Sequence, residues 1–186
     1  MDAELNARIA NAVSAGVRAR AQFYEAIDLP NEQELGPPAS EEQIARIEQQ
    51  IGKPLPPSYR AFLSLFNGWR MVDGETDLLS VEEMLGGRRA DRIRDWQRNA
   101  AKWGDEVGGH GFVIGFSDIS QSRIILDPRR VGANNEWRLF ENYKDEEEEY
   151  DSFLDWLEQS VDDYQELAMN PNVDHEQDQE EEEEEE

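Results

Sequence analysis

The chain has 186 residues, enough for one domain with a substantial core plus extensions, and its lack of cysteine excludes disulfides, thiolate nucleophiles and cysteine-ligated zinc. The net charge of −25 is unevenly placed: through Lys144 there are 22 acids against all 18 bases, and from Asp145 onward 21 acids and no base. Sequence-independent binding to DNA or RNA needs phosphate-neutralising Lys and Arg, so this balance argues against nucleic acid and for a basic partner.

"MDAELNARIANAV" has no basic segment followed by an apolar run, and no stretch approaches the ~18 apolar residues of a membrane span. A soluble, cytoplasmic protein without membrane contact is therefore expected. Leu5, Ile9, Val13 and Val17 recur every four residues, with Tyr24 and Ile27 extending the face, which predicts a helix over residues 2–28. Gly16 weakens its middle by roughly 1 kcal/mol relative to Ala. Three prolines and Gly36 in "DLPNEQELGPPAS" read as a linker, which makes residues 1–29 a helical extension and 30–39 the connection.

Ser40 with Gln43 three residues on has capping-box spacing, and Ile44, Ile47 and Ile51 share one face before Gly52. "KPLPPS" forces an extended connection, with Pro57 suited to a first helical turn. Tyr59, Phe62, Leu63 and Phe66 follow at i, i+3, i+4, i+7, and Asn67-Gly68 supplies a left-handed stop. Residues 69–79 fit a short strand or two turning at Asp73-Gly74, and "SVEEML" opens on a second cap pair, Ser80 and Glu83. "RRADRIRDWQRNAAKW" is a helix carrying six of the 18 bases. Three strands follow, "GFVIGFSD", "SRIILDP" and "EWRLFENY", then a closing helix over "YDSFLDWLEQSVDDYQELA". The elements make an α+β domain over residues 40–169. Residues 170–186, ending in seven glutamates, read as a disordered acidic tail.

The order of elements and one motif resemble the SUKH superfamily, which includes fungal Smi/Knr-type cell-wall regulators and bacterial immunity proteins. The residues that carry it are Ile44, Ile47, Glu48, Ile51-Gly52, Leu55-Pro56, Tyr59, Phe62-Leu63 and Asn67-Gly68. "FVIGFSDISQSRIILDP" resembles the family's strand pair, with Asp118 and Asp127 at its acidic positions and Gln121-Ser122 where glycine is common. The resemblance covers roughly residues 40–165. It implies a central, mostly antiparallel sheet flanked by helices, and a role in binding a protein, often a toxin domain that the bacterial members block.

Catalytic signatures are thin. His110, in "GGHGF", is the one histidine of the body, and a histidine between glycines is more often structural or exposed than a general base. The neighbouring glycines precede a strand and lack a following Lys-Ser/Thr, the reverse of a phosphate loop. "DGETD" lacks the length and terminal Glu of a calcium loop, and no metal or other cofactor is expected. Arg88, Arg92, Arg94, Arg98 and Lys102 line a basic helix that Asp91 and Asp95 interrupt; pairing with the acidic tail or with Glu146 to Glu149 is the alternative to a nucleic-acid face.

The leading expectation is therefore a non-enzymatic, immunity-type protein that occludes a basic, nuclease-like toxin domain. A Smi/Knr-type regulatory scaffold is the runner-up, and a hydrolase centred on His110 comes third. The expected binding surface comprises Trp69, Arg70, Asp73, Glu75, Asp77, Asp118, Asp127, Glu136 and Trp137, because interface hot spots favour tryptophan and acids suit a basic partner.

Overall fold

Along the chain run α1 (Ala3–Ala26), β1 (Glu34–Leu35), α2 (Glu41–Ile51), α3 (Pro57–Leu65), β2 (Trp69–Arg70) and β3 (Thr76–Leu78). Then come α4 (Val81–Leu85), α5 (Gly87–Trp103), α6 (Glu106–His110), β4 (Phe112–Ser117), β5 (Arg123–Val131), β6 (Trp137–Tyr143), β7 (Glu146–Tyr150) and α7 (Phe153–Met169). The structure is a computed structural model and describes residues 2–120, 122–143 and 146–170. The expected acidic tail, apart from Asn170, lies outside the described residues.

The fold is α+β. All seven strands join one antiparallel sheet in sequence order, β1-β2-β3-β4-β5-β6-β7. In such a meander alternate connections share an end, so the β2–β3, β4–β5 and β6–β7 connections gather at one end of the sheet and β3–β4 and β5–β6 at the other. Register fixes what each face carries. Leu78, Gly115, Ile124, Glu141 and Glu148 form one row across five strands. On the opposite face run Asp77, Phe116, Arg123, Asn142 and Glu147. Gly115 is required in the first row, because a Cβ there would fall 2.7 Å from the Ile124 side chain.

Among the described residues, 2–10 with 32–156 make one compact unit, and 11–31 with 157–170 another. The core of the first is aromatic: Tyr59, Phe62 and Phe153 are fully buried, with ring centroids 5.1 to 6.2 Å apart. In the second, Arg20 is buried with its guanidinium 4.2 Å above the Tyr164 ring, and Phe23 meets the same ring edge-on at 5.8 Å.

Local chemistry sets the helix ends as expected. Both capping boxes form, Ser40 with Gln43 and Ser80 with Glu83, and Gly52 closes α2 in the left-handed region. Four features differ from expectation. Helix α3 ends on Phe66 in an extended conformation, and Gly68 takes its positive φ of 93° later, where backbones cross. "EVGGH" is a helical turn, because Asp105 caps it by accepting the Gly108 N–H at 2.7 Å. Glu146 to Glu149 form a strand in spite of glutamate's low strand preference, since pairing with β6 supplies the hydrogen bonds and every one of these side chains faces solvent. Within segment 30–39, Leu35 pairs with Trp69, so part of the expected linker is an edge strand.

Candidate functional site

Several expected contact residues are consumed by the fold. Trp69 has no exposure and Trp137 only 3 %, because strand pairing turns both inward; neither is a surface anchor. Arg70 stays exposed and faces Glu34 across the β1–β2 pair at 3.7 Å. Asp77 is buried, accepts the Met71 N–H at 2.8 Å and takes Arg89 at 2.6 Å. Arg89 also reaches Glu83 and Asp118, and Arg92 joins Asp118 as well. The basic helix α5 thus pairs with Asp77, Glu83 and Asp118, while Glu149 is met by Arg130 and Arg138 instead. His110 lies exposed on the last turn of α6.

Asp127 and Glu136 lie at the opposite end of the sheet from Asp73, Glu75 and Asp118. Asp127 is fully buried; burial pushes its carboxyl up, but hydrogen bonds from the Arg129 side chain and backbone win and hold it below the usual range. Glu136 accepts both the N–H and the hydroxyl of Ser58, at 2.9 and 2.7 Å, and so caps α3, whose own N-cap is Pro56 and offers no side-chain acceptor. The cleft beside Glu136, about 920 Å³, interleaves Arg8 and Arg138 with Glu4, Asp151 and Asp155.

Burial raises the Glu136 pKa above its ordinary value of 4.5, and nearby Asp155 adds to this against the Ser58 bonds. A raised folded-state pKa contributes stability below the unfolded value that is lost as pH rises through the folded one. Glu136→Gln keeps an acceptor for the Ser58 N–H and removes the charge. The variant is expected to gain on wild type as pH rises above 4.5, measured by urea unfolding at pH 4 and pH 7. A Glu136→Gln protein that loses ground at pH 7 refutes the assignment.

Five acids converge elsewhere. At the end where three connections gather, Asp73, Glu75, Glu141, Glu146 and Glu148 line a groove of about 420 Å³ in which no Lys or Arg takes part among the described residues. Asp73 shapes the β2–β3 turn by accepting the Glu75 and Thr76 N–H groups at 3.0 and 2.5 Å. Glu141 and Glu148 are directly opposed across β6–β7, and like charges so placed repel. The Trp156 indole donates to Glu141 at 2.7 Å and orients that carboxylate. Tyr143, on the groove wall, and Ile119, beside the groove residue Ser120, are 43 % and 80 % exposed.

On the other face at this end arginines stand among acids, Arg89 on Asp77 and Asp118 and Arg92 on Asp118. Arg123 sits 3.9 Å above Phe116 and 5.4 Å from Trp96, and burial followed by the Arg92 charge pushes its guanidinium down to about 10. It still carries its charge at neutral pH. The two faces therefore differ, since arginines match the acids on one and five carboxylates gather on the other.

The family model described as SMI1 / KNR4 family (SUKH-1) matches residues 38–159. The chain belongs to the SMI1 / KNR4 family (SUKH-1). A search among curated proteins gave no match. In this SUKH-1 protein the motif residues prove to be structural: Glu48 accepts the Leu55 N–H at 3.0 Å, and Asn67 accepts the Val81 N–H at 2.7 Å.

Of the expected site residues, this SUKH-1 protein brings only Asp73 and Glu75 into the groove. Sequence reasoning missed Glu141, Tyr143, Glu146 and Glu148. Their signal was alternation, Glu141 with Tyr143 and Glu146 with Glu148, which puts each pair on one side of its strand. Among the described residues no helix is long and apolar enough to cross a membrane.

Proposed function

We propose that this SUKH-1 protein is an immunity-type binding protein that occludes a cognate basic toxin domain, docking it over the groove end of the sheet. The observation that carries the reading is the convergence of five carboxylates beside exposed Ile119 and Tyr143. Carboxylates steer a basic partner at long range, and apolar anchors inside such a field hold it after encounter. Each half of the surface supplies what the other lacks. The function is binding and not turnover.

The test is co-expression with a growth-arresting basic domain encoded beside this gene. Growth is expected to recover, with an equimolar complex on size exclusion. Ile119→Asp combined with Tyr143→Asp should weaken the complex by roughly 30-fold, the effect of losing about 2 kcal/mol of anchor contact. Recovery that survives this double substitution overturns the docking surface, and the absence of recovery with every adjacent domain overturns the immunity role.

A further inference from the structure

Thr76 stands apart from the rest of the groove. It has no exposure, its Oγ1 has no hydrogen-bond partner among the described residues, and it lines the same groove as the five carboxylates. Register places its side chain on the groove face: Thr76 pairs with Ser117, whose N–H meets the Ser122 carbonyl at 3.2 Å, and Ser122 also lines the groove. A buried hydroxyl left unpaired costs free energy, and so do glutamates opposed across a strand pair. Both costs are relieved by one kind of occupant, a hydrogen-bond donor carrying positive charge.

We propose that this groove receives a lysine or arginine side chain of the protein partner, with Thr76 Oγ1 accepting at its base and Glu141, Glu146 and Glu148 neutralising the charge. The inference rests on the partner-binding reading above and specifies its contact. A bare metal ion fits poorly, because among the described residues no three acidic or histidine side chains are spaced to hold one. A side-chain cation reaches separated acceptors through several N–H donors, as guanidinium and ammonium groups do.

The free chain and two small probes suffice for the test. The ¹⁵N-labelled full chain is titrated with Nα-acetyl-lysine methylamide and Nα-acetyl-arginine methylamide, with the norleucine analogue and Mg²⁺ as controls. The cationic probes are expected to move the amides of Thr76, Ser122, Glu141 and Glu148 together, and the norleucine probe to move none. Glu141→Gln with Glu148→Gln, which keeps an acceptor for Trp156, should weaken binding about tenfold, the summed effect of two partly exposed charges. Thr76→Val should weaken it without lowering the melting temperature. Glu148→Lys should abolish binding while raising the melting temperature, because it replaces a repelling cross-strand pair by an attracting one.

Shifts confined to residues 180–186, or the same groove shifts with Mg²⁺ at lower concentration, overturn the proposal. So does a silent wild type that responds only as Lys144→Met, since the chain's own lysine would then be the occupant. The titration involves no toxin. Its failure with growth recovery intact removes the pocket alone, and its success without recovery removes the immunity role alone.

Discussion

Phe62→Ala is expected to destabilise the protein by about 3–5 kcal/mol, the range for emptying an aromatic site in a packed core. Phe62 has no exposure, stacks on Tyr59 at 6.2 Å with a 16° interplanar angle, and meets Phe153 at 5.1 Å and Phe66 at 6.0 Å. The three partners come from α3, the segment after it and the first turn of α7. No single side-chain shift therefore closes the void. Marginal domains hold only about 5–15 kcal/mol in all, so much of the folded population should be lost at moderate urea. Phe62→Leu retains most of the volume and should cost under about 1.5 kcal/mol. The measurement is a pair of urea unfolding curves with unchanged slope. A Phe62→Ala cost no larger than that of Phe62→Leu refutes the packing argument. The consequence reaches the groove, because Phe153 packs on Trp156 at 5.5 Å and Trp156 orients Glu141.

What the sequence made legible was whatever depends on neighbours along the chain. Ser40 with Gln43, Ser80 with Glu83, and Gly52 are caps set by residues within one turn, and they form as read. The apolar spacing of Tyr59, Phe62 and Leu63 selects the buried face of α3 for the same reason. What stayed hidden was which acids the fold consumes. Asp118 meets Arg89 across 29 residues, and Glu136 caps Ser58 across 78. No local pattern announces either pairing. The tryptophans failed as anchors on similar grounds: Trp69 lies between Leu35 and Leu78 in the sheet, a placement that depends on strands far apart in sequence. The glutamates of β7 illustrate the converse, since the sequence offered them only as a partner for the basic helix and the β6 register gives them a face.

Gly68→Ala is expected to cost about 2–4 kcal/mol, combining left-handed strain with a clash against backbone that has no room to yield. Gly68 holds φ at 93°, and a Cβ there would fall 2.8 Å from the Leu78 carbonyl oxygen and 3.0 Å from the Ser80 nitrogen. Those atoms belong to β3 and to the cap of α4, each fixed by its own hydrogen bonds, with Leu79 N–H on the Ile114 carbonyl at 2.8 Å. A neighbouring substitution separates strain from simple loss of contact. Asn67→Ala removes the bonds to Val81 and Glu82 without a clash and should cost only about 1–2 kcal/mol. If Gly68→Ala unfolds no more easily than Asn67→Ala, the close approach carries no weight. The larger loss has a functional signature as well. Gly68 leads into β2, the β2–β3 turn presents Asp73 and Glu75, and Thr76 opens β3. Forcing that turn away from β4 should separate Thr76 from the carboxylates of β6 and β7. The folded fraction of Gly68→Ala is then expected to bind the cationic probes more weakly than folded Phe62→Leu, at equal fractions folded.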